Sequence, residues 1–176
     1  MIRRILRSGD PKLREISKPV GKIDAKILEL IRDLKETLAI QKDPEGVGLA
    51  APQIGKNLRI FVANYKELNR VVINPEVLEA KSPITNHKSP KSRQEILEGC
   101  LSLPNYYGPL KRVGIVKIKY LNEKGQETVE EFTGFNAQII FHEVDHLNGV
   151  LFLDRLFEQK QPLYKLEKDK WEEVEL

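Results

Sequence analysis

His142-Glu143-Val144-Asp145-His146 is an H-E-x-x-H motif, and the chain's only cysteine lies upstream in Glu98-Gly99-Cys100-Leu101-Ser102. On a helix the two histidines stand one turn apart, roughly 40° around and 6 Å along the axis, so both reach one ion. Glu143 then lies beside them as a base. Two imidazoles and one thiolate make three ligands, which leaves one tetrahedral position for water and separates a catalytic from a structural site. The motif alone fixes three positions, so a chance match has to be weighed. Against chance, the chain has three histidines and two of them fall at this spacing. Cys100 on its own reads more readily as a small buried hydrophobe.

The elements that must position these groups are legible in part. From Asp24 to Gln41 the apolar residues Ile27, Ile31, Leu34 and Leu38 recur at helical spacing, with Asp24 placed to cap the helix. A loop over 42–45 leads into Gly46-Val47-Gly48-Leu49-Ala50-Ala51-Pro52-Gln53-Ile54-Gly55, where glycine and proline permit unusual backbone angles and close approach of another chain. Leu58 to Ala63 and Arg70 to Ile73 are short and β-branched, which predicts strands. Glu79 to Gln94 is polar, holds two Ser-Pro steps and His87, and reads as an exposed loop or insertion.

Val113 to Tyr120 alternates, and Asn122-Glu123-Lys124-Gly125 turns it into Glu127 to Phe132, which predicts a hairpin. The motif helix follows, with Asn136 as its expected cap, Ala137, Ile140, Phe141, Val144 and Leu147 on its buried side, and Gly149 at its end. The tail, 161–176, opens with Pro162 and places Leu163 and Leu166 three apart before becoming strongly charged, so it reads as a short docked helix or a fraying end.

Composition bounds the rest. At 176 residues and 40% hydrophobic content, the chain predicts a single catalytic domain over 1–176. A net charge of +3 from 29 basic and 26 acidic residues is a mixed surface, which gives direct nucleic-acid recognition little support. One cysteine forms no internal disulfide, and a thiolate kept free for a metal suits a reducing compartment, so a cytoplasmic protein is expected. The basic start lacks the apolar segment of a secretory signal, and no stretch approaches membrane-spanning length.

Three segments, Gly46-Val47-Gly48-Leu49-Ala50-Ala51-Pro52-Gln53, then Glu98-Gly99-Cys100-Leu101-Ser102-Leu103-Pro104, then His142-Glu143-Val144-Asp145-His146-Leu147-Asn148-Gly149-Val150-Leu151-Phe152, resemble the signature blocks of peptide deformylases in order and spacing. Asp10-Pro11-Lys12-Leu13-Arg14 and Ile73-Asn74-Pro75-Glu76 extend the likeness over most of residues 1 to 155.

The resemblance implies an α+β fold in which short antiparallel sheets wrap around the central helix carrying the motif. It implies removal of the formyl group from the N-terminal formyl-methionine of new polypeptides, with release of formate. One divalent metal, Fe(II) by preference with Zn, Ni or Co able to substitute, is then held by Cys100, His142 and His146. Glu143 takes a proton from the attacking water and returns it to the departing amine. Gln53 and the backbone N–H of Leu101 meet the oxyanion. Gly48 receives the substrate as an added strand, Val47 and Ile139 line a pocket for the methionine side chain, and Glu98 with Arg112 forms a supporting ion pair.

Read without the resemblance, Gln53 is a loop amide bonding its own backbone, Gly48 a turn glycine, and Ile139 general core packing. Formyl-methionyl nascent peptides are the implied partner, together with transient ribosome contact, although the tail is shorter than the long basic helix some members use there. Phe141 stands where many members have glutamine, and Tyr106-Tyr107 where several carry arginine.

Two other readings compete. A zincin-type endopeptidase shares the motif but usually draws its third ligand from a downstream histidine or glutamate. A structural zinc-binding interaction module would want a fourth protein ligand, for which His87 is the remaining histidine, and it would give Glu143 nothing to do.

Overall fold

The computed structural model describes residues 1–81 and 97–175. The histidine at 87 and the predicted loop beyond 81 lie outside the described residues. Among the described residues the named strands pair antiparallel and helices pack on the sheets, so the class is α+β, as expected.

The larger sheet has strand order β1-β2-β3-β6-β7: Gly48–Ala50, Ile60–Tyr65, Leu68–Lys81, Ile115–Leu121 and Glu127–Thr133. Around β2 it is covered on both faces, because alternate residues of a strand point opposite ways. Phe61, Ala63, Leu68 and Val72 face helix α2 (Gly134–Leu147), meeting Ala137, Ile140, Val144 and Leu147. Ile60, Val62, Val71 and Ile73 face helix α1 (Ala25–Ala39), meeting Leu30, Ile31, Leu34 and Leu38. Strand β2 is therefore buried on both sides over its first four residues, and the motif helix sits in a closed core. Asp24 caps α1 through its side chain, which accepts from Lys26 N and Ile27 N.

The smaller sheet has order β4-β5-β8-β9: Glu98–Cys100, Leu103–Gly108, Leu163–Glu167 and Lys170–Val174. One of its faces closes with helix α3 (Phe152–Glu158) around Leu110, Phe152, Leu156 and Leu163. Gly108 is required there, since a Cβ would stand 2.6 Å from Leu156 Cδ2.

Four expectations change. The tail is a hairpin, β8 and β9, because its residues complete an otherwise open sheet: Tyr106 and Tyr107 of β5 pair with Lys165 and Tyr164. Lys168 and Asp169, at φ of 49° and 61°, form its two-residue turn without glycine. Strand β3 continues past Pro75 to Lys81, so residues 79–81 are strand, not loop. The register shift between Ile73 and Glu76, with Asn74 at φ 52°, lets a proline that donates no hydrogen bond sit at a bulge. Helix α2 starts at Gly134 behind Thr133, ahead of the expected Asn136, because β7 pairs through Thr133 and leaves it in the extended conformation a cap needs. Finally, Phe141 is only partly buried.

Candidate active site

Helix α2 carries His142 and His146 toward β4, and the two Nε2 atoms stand 3.2 Å apart. Cys100 ends β4, where a register shift between Gly99 and Cys100 re-aims the side chain. Its Sγ lies 3.3 Å from His146 Nε2, and the three donor atoms all lie within 4.8 Å of one another. Cys100 is 8% and His146 1% exposed, so the group is withdrawn from solvent.

This donor set fits a divalent cation. Two imidazole nitrogens and one sulfur this close together are donors that a single ion can share. His142 is also prepared from behind, since its Nδ1 is 2.7 Å from Glu98 Oε1, which leaves Nε2 to face the sulfur side. The set of one thiolate and two imidazoles suits first-row transition metals.

Charge is organised accordingly. Burial opposes ionisation of Cys100, yet the attraction of His146 and His142 outweighs it and holds the thiol well below its ordinary value. Burial also opposes a charge on His142, but the Cys100 sulfur and Glu98 raise it well above its ordinary value. Glu98 is likewise resisted by burial and still held down at about 2 by hydrogen bonds from Arg112 and His142. Glu143 goes the other way, pushed up to about 7 by burial.

Behind the ligands lies a buried ion network. Arg112 grips Glu98 bidentately, Nη2 to Oε1 at 2.7 Å and Nε to Oε2 at 2.8 Å. Its Nη1 reaches Asp145 Oδ2 at 2.6 Å, and Asp145 also receives Arg155 at 2.8 Å. The Glu98–Arg112 pair anticipated from sequence is thus present and fully enclosed. Asp145 joins it because a residue three positions after His142 lies on a neighbouring face of the same helix. An acid inside a buried helical segment was the available signal.

Gln53, 1% exposed, sits in the 3-10 turn Ala51–Ile54. Its Oε1 accepts from Ala50 N at 2.8 Å, the local backbone bond a loop amide was expected to make. Its Nε2 instead faces the site, donating to Ser102 Oγ at 3.1 Å with Cys100 Sγ at 3.6 Å. Ser102 was not anticipated. Gly48, on edge strand β1, backs directly onto Glu143, since a Cβ there would stand 2.8 Å from the Glu143 Cδ.

A cavity of about 350 Å³ opens over these groups, and Val47, Gly48, Gln53, Leu101, Ile139 and Glu143 all line it. Ile139 belongs to the α2 core cluster as well, so packing and cavity lining coincide there. Tyr106 and Tyr107 line it too, as does Gln138. Phe141 packs against the core cluster instead.

The family model for polypeptide deformylases matches residues 2–162. Peptide deformylase 1 of Clostridium acetobutylicum is 45% identical over 159 residues, spanning 90% of this chain and 97% of its own length. The crystal structure of peptide deformylase from Thermus thermophilus superposes with a TM-score of 0.77 at 38% identity, covering 90% of this chain and 88% of that one. A peptide deformylase from Synechococcus elongatus, solved in complex with actinonin, gives a TM-score of 0.75 at 35% identity over 86% of this chain and 76% of that one. With sequence, fold and the Cys100, His142 and His146 cluster in agreement, the chain belongs to the polypeptide deformylase family.

Proposed function

We propose that this chain, acting as one catalytic domain, hydrolyses the formyl group from the N-terminal formyl-methionine of new polypeptides, consuming water and releasing formate and a free amine. The observation that carries this reading is the convergence of Cys100, His142 and His146 beside the enclosed carboxylate of Glu143. Cys100, His142 and His146 would hold one divalent cation, Fe(II) by preference, with Zn, Ni or Co able to substitute. Such a cation lowers the pKa of a water in its shell and polarises a carbonyl oxygen.

The chain's own residues supply the remaining work. Glu143, whose Oε2 has no hydrogen-bond partner among the described residues, is placed to take a proton from the attacking water and return it to the leaving amine. Its burial raises the carboxyl's hold on a proton, which suits a group that keeps the proton between uptake and delivery. Gln53 Nε2 and the backbone N–H of Leu101 donate to the oxygen on which negative charge develops. Gly48 offers the edge of β1 to an extended peptide, whose backbone pairs there without its sequence being read. Val47 and Ile139 give the methionine side chain an apolar wall, and Glu98 with Arg112 fixes the His142 ring.

Nascent formyl-methionyl chains are thus the partner, met in the cytoplasm through transient ribosome contact. Among the described residues no helix is long and apolar enough to cross a membrane. The test measures formate released from formyl-Met-Ala-Ser under anaerobic conditions, beside cleavage of casein. Formate release that disappears in Glu143→Ala while metal stays bound supports the assignment. Casein cleavage without formate would favour an endopeptidase, and loss of metal from Glu143→Ala would make that residue a ligand.

A further inference from the structure

The C-terminal hairpin lies beyond the residues matched by the family model, yet it is built into the sheet that carries Cys100. Its register decides which side chains share a face. Gly99 pairs with Tyr107, Tyr107 with Tyr164, and Leu166 with Trp171, while Tyr164 and Leu166 are two apart on one strand. Side chains two apart point the same way, so these residues form one stripe across the sheet. The other face, with Leu163 and Val174, is the one that packs on Phe152 and Leu156.

The stripe begins inside the catalytic cavity, which Gly99 and Tyr107 line together with Cys100. The Tyr107 ring lies over Gly99, where a Cβ would stand 2.8 Å from the ring atoms. Trp171 meets that ring edge to face, centroids 5.5 Å apart at 73°, and remains 52% exposed. A half-exposed indole continuous with a peptide-binding cavity is a surface built for an apolar contact.

We propose that the hairpin is part of the substrate site: Trp171 buttresses Tyr107, and the two rings form an aromatic shelf for an apolar or aromatic side chain of the formylated peptide beyond its methionine. The inference rests on the deformylase reading above. Its place follows from continuity with the cavity, because the Tyr107 ring lies over Gly99 beside Cys100 and Trp171 is in contact with that ring. The plainer account of Trp171 is a cross-strand pair with Leu166 that only stabilises the hairpin. That account predicts no change in peptide preference.

The test compares kcat/KM for formyl-Met-Ala-Ser-Phe and formyl-Met-Ala-Ser-Ser on metal-loaded protein. The phenylalanine peptide should be preferred about three- to tenfold, the difference lying in KM. The ratio should fall to near one in Trp171→Ala and persist in Trp171→Phe. Because both peptides meet one preparation, the ratio is independent of how much of the variant is folded.

Trp171 is the chain's single tryptophan, so its emission reports the shelf without turnover. In Glu143→Gln protein, the phenylalanine peptide should shift that emission to shorter wavelength at lower concentration than the serine peptide does. An unchanged ratio in Trp171→Ala, or emission indifferent to the phenylalanine peptide, would overturn the proposal. An emission shift from a wild-type protein that releases no formate would keep the shelf and remove the deformylase reading.

Discussion

The carboxylate of Glu98 meets Nδ1 of His142 at 2.7 Å, so a ring carried by helix α2 is oriented by a residue of β4, the strand that ends in Cys100. A metal ligand held in this way binds more tightly because its ring orientation is fixed in advance. Glu98→Gln should weaken metal affinity by about ten- to a hundredfold, read by competition with a chelating dye. Wild-type affinity in that variant would mean that helix packing alone orients the imidazole.

Gly48 is the only residue type that leaves Glu143 where it stands, since any Cβ would press on its carboxyl carbon. Gly48→Ala should displace the carboxylate and reduce kcat by about a hundredfold, the scale for ångström-level misplacement of a reacting group. Metal content should stay at the wild-type level. A kcat within about twofold of wild type would show that Glu143 finds an equivalent rotamer.

Arg112 holds two carboxylates, Glu98 and Asp145, and all three side chains are at most 7% exposed. Replacing it by leucine leaves buried negative charge without its main partner. Urea unfolding of Arg112→Leu should show a loss of about 3–5 kcal/mol, the range for breaking a buried ion pair from one side. A loss below about 1 kcal/mol would place the pair among weakly coupled surface bridges. Glu98→Gln combined with Arg112→Leu should cost less than the sum of the two changes, because they share one interaction.

On the larger sheet, Glu130 of β7 accepts from Arg70 Nη2 at 2.7 Å and Tyr120 Oη at 2.8 Å. Burial resists its ionisation, but the hydrogen bonds from Arg70 and Tyr120 outweigh that resistance and lower it from its ordinary 4.5. A carboxyl lowered on folding stabilises fully above its unfolded pKa, and that stabilisation is lost as pH falls through the folded value. Unfolding of wild type and Glu130→Gln, followed by circular dichroism, should therefore differ most near neutrality and converge in acid, once the pH has fallen below the lowered Glu130 value. A difference that grows on acidification would reverse the sign of the linkage. Solvent reaches this pair, so salt should narrow the gap.

Much of this molecule is readable from order and spacing along the chain. The four-residue interval between His142 and His146 places both rings on one side of a helix whatever surrounds it. Asp24 and the recurring Ile31, Leu34 and Leu38 specify α1 for the same local reason. The hairpin of β6 and β7 follows from alternation on either side of a turn.

Where no local rule applies, neighbours decide. Gln53 bonds its own backbone and faces Cys100 at once, and only β4 lying alongside reveals the second contact. Asp145 looks like any helical acid until Arg112 and Arg155 arrive from other elements. The tail is a strand pair because β5 presents unpaired backbone groups that a docked helix could not satisfy. Its apolar spacing was compatible with either form, so the choice fell to hydrogen bonds made across some sixty residues of sequence, between Tyr107 and Tyr164. Sequence thus determined the helix and the interval that sets His142 beside His146, whereas burial, partner choice and the walls of the cavity came from distant segments packing together.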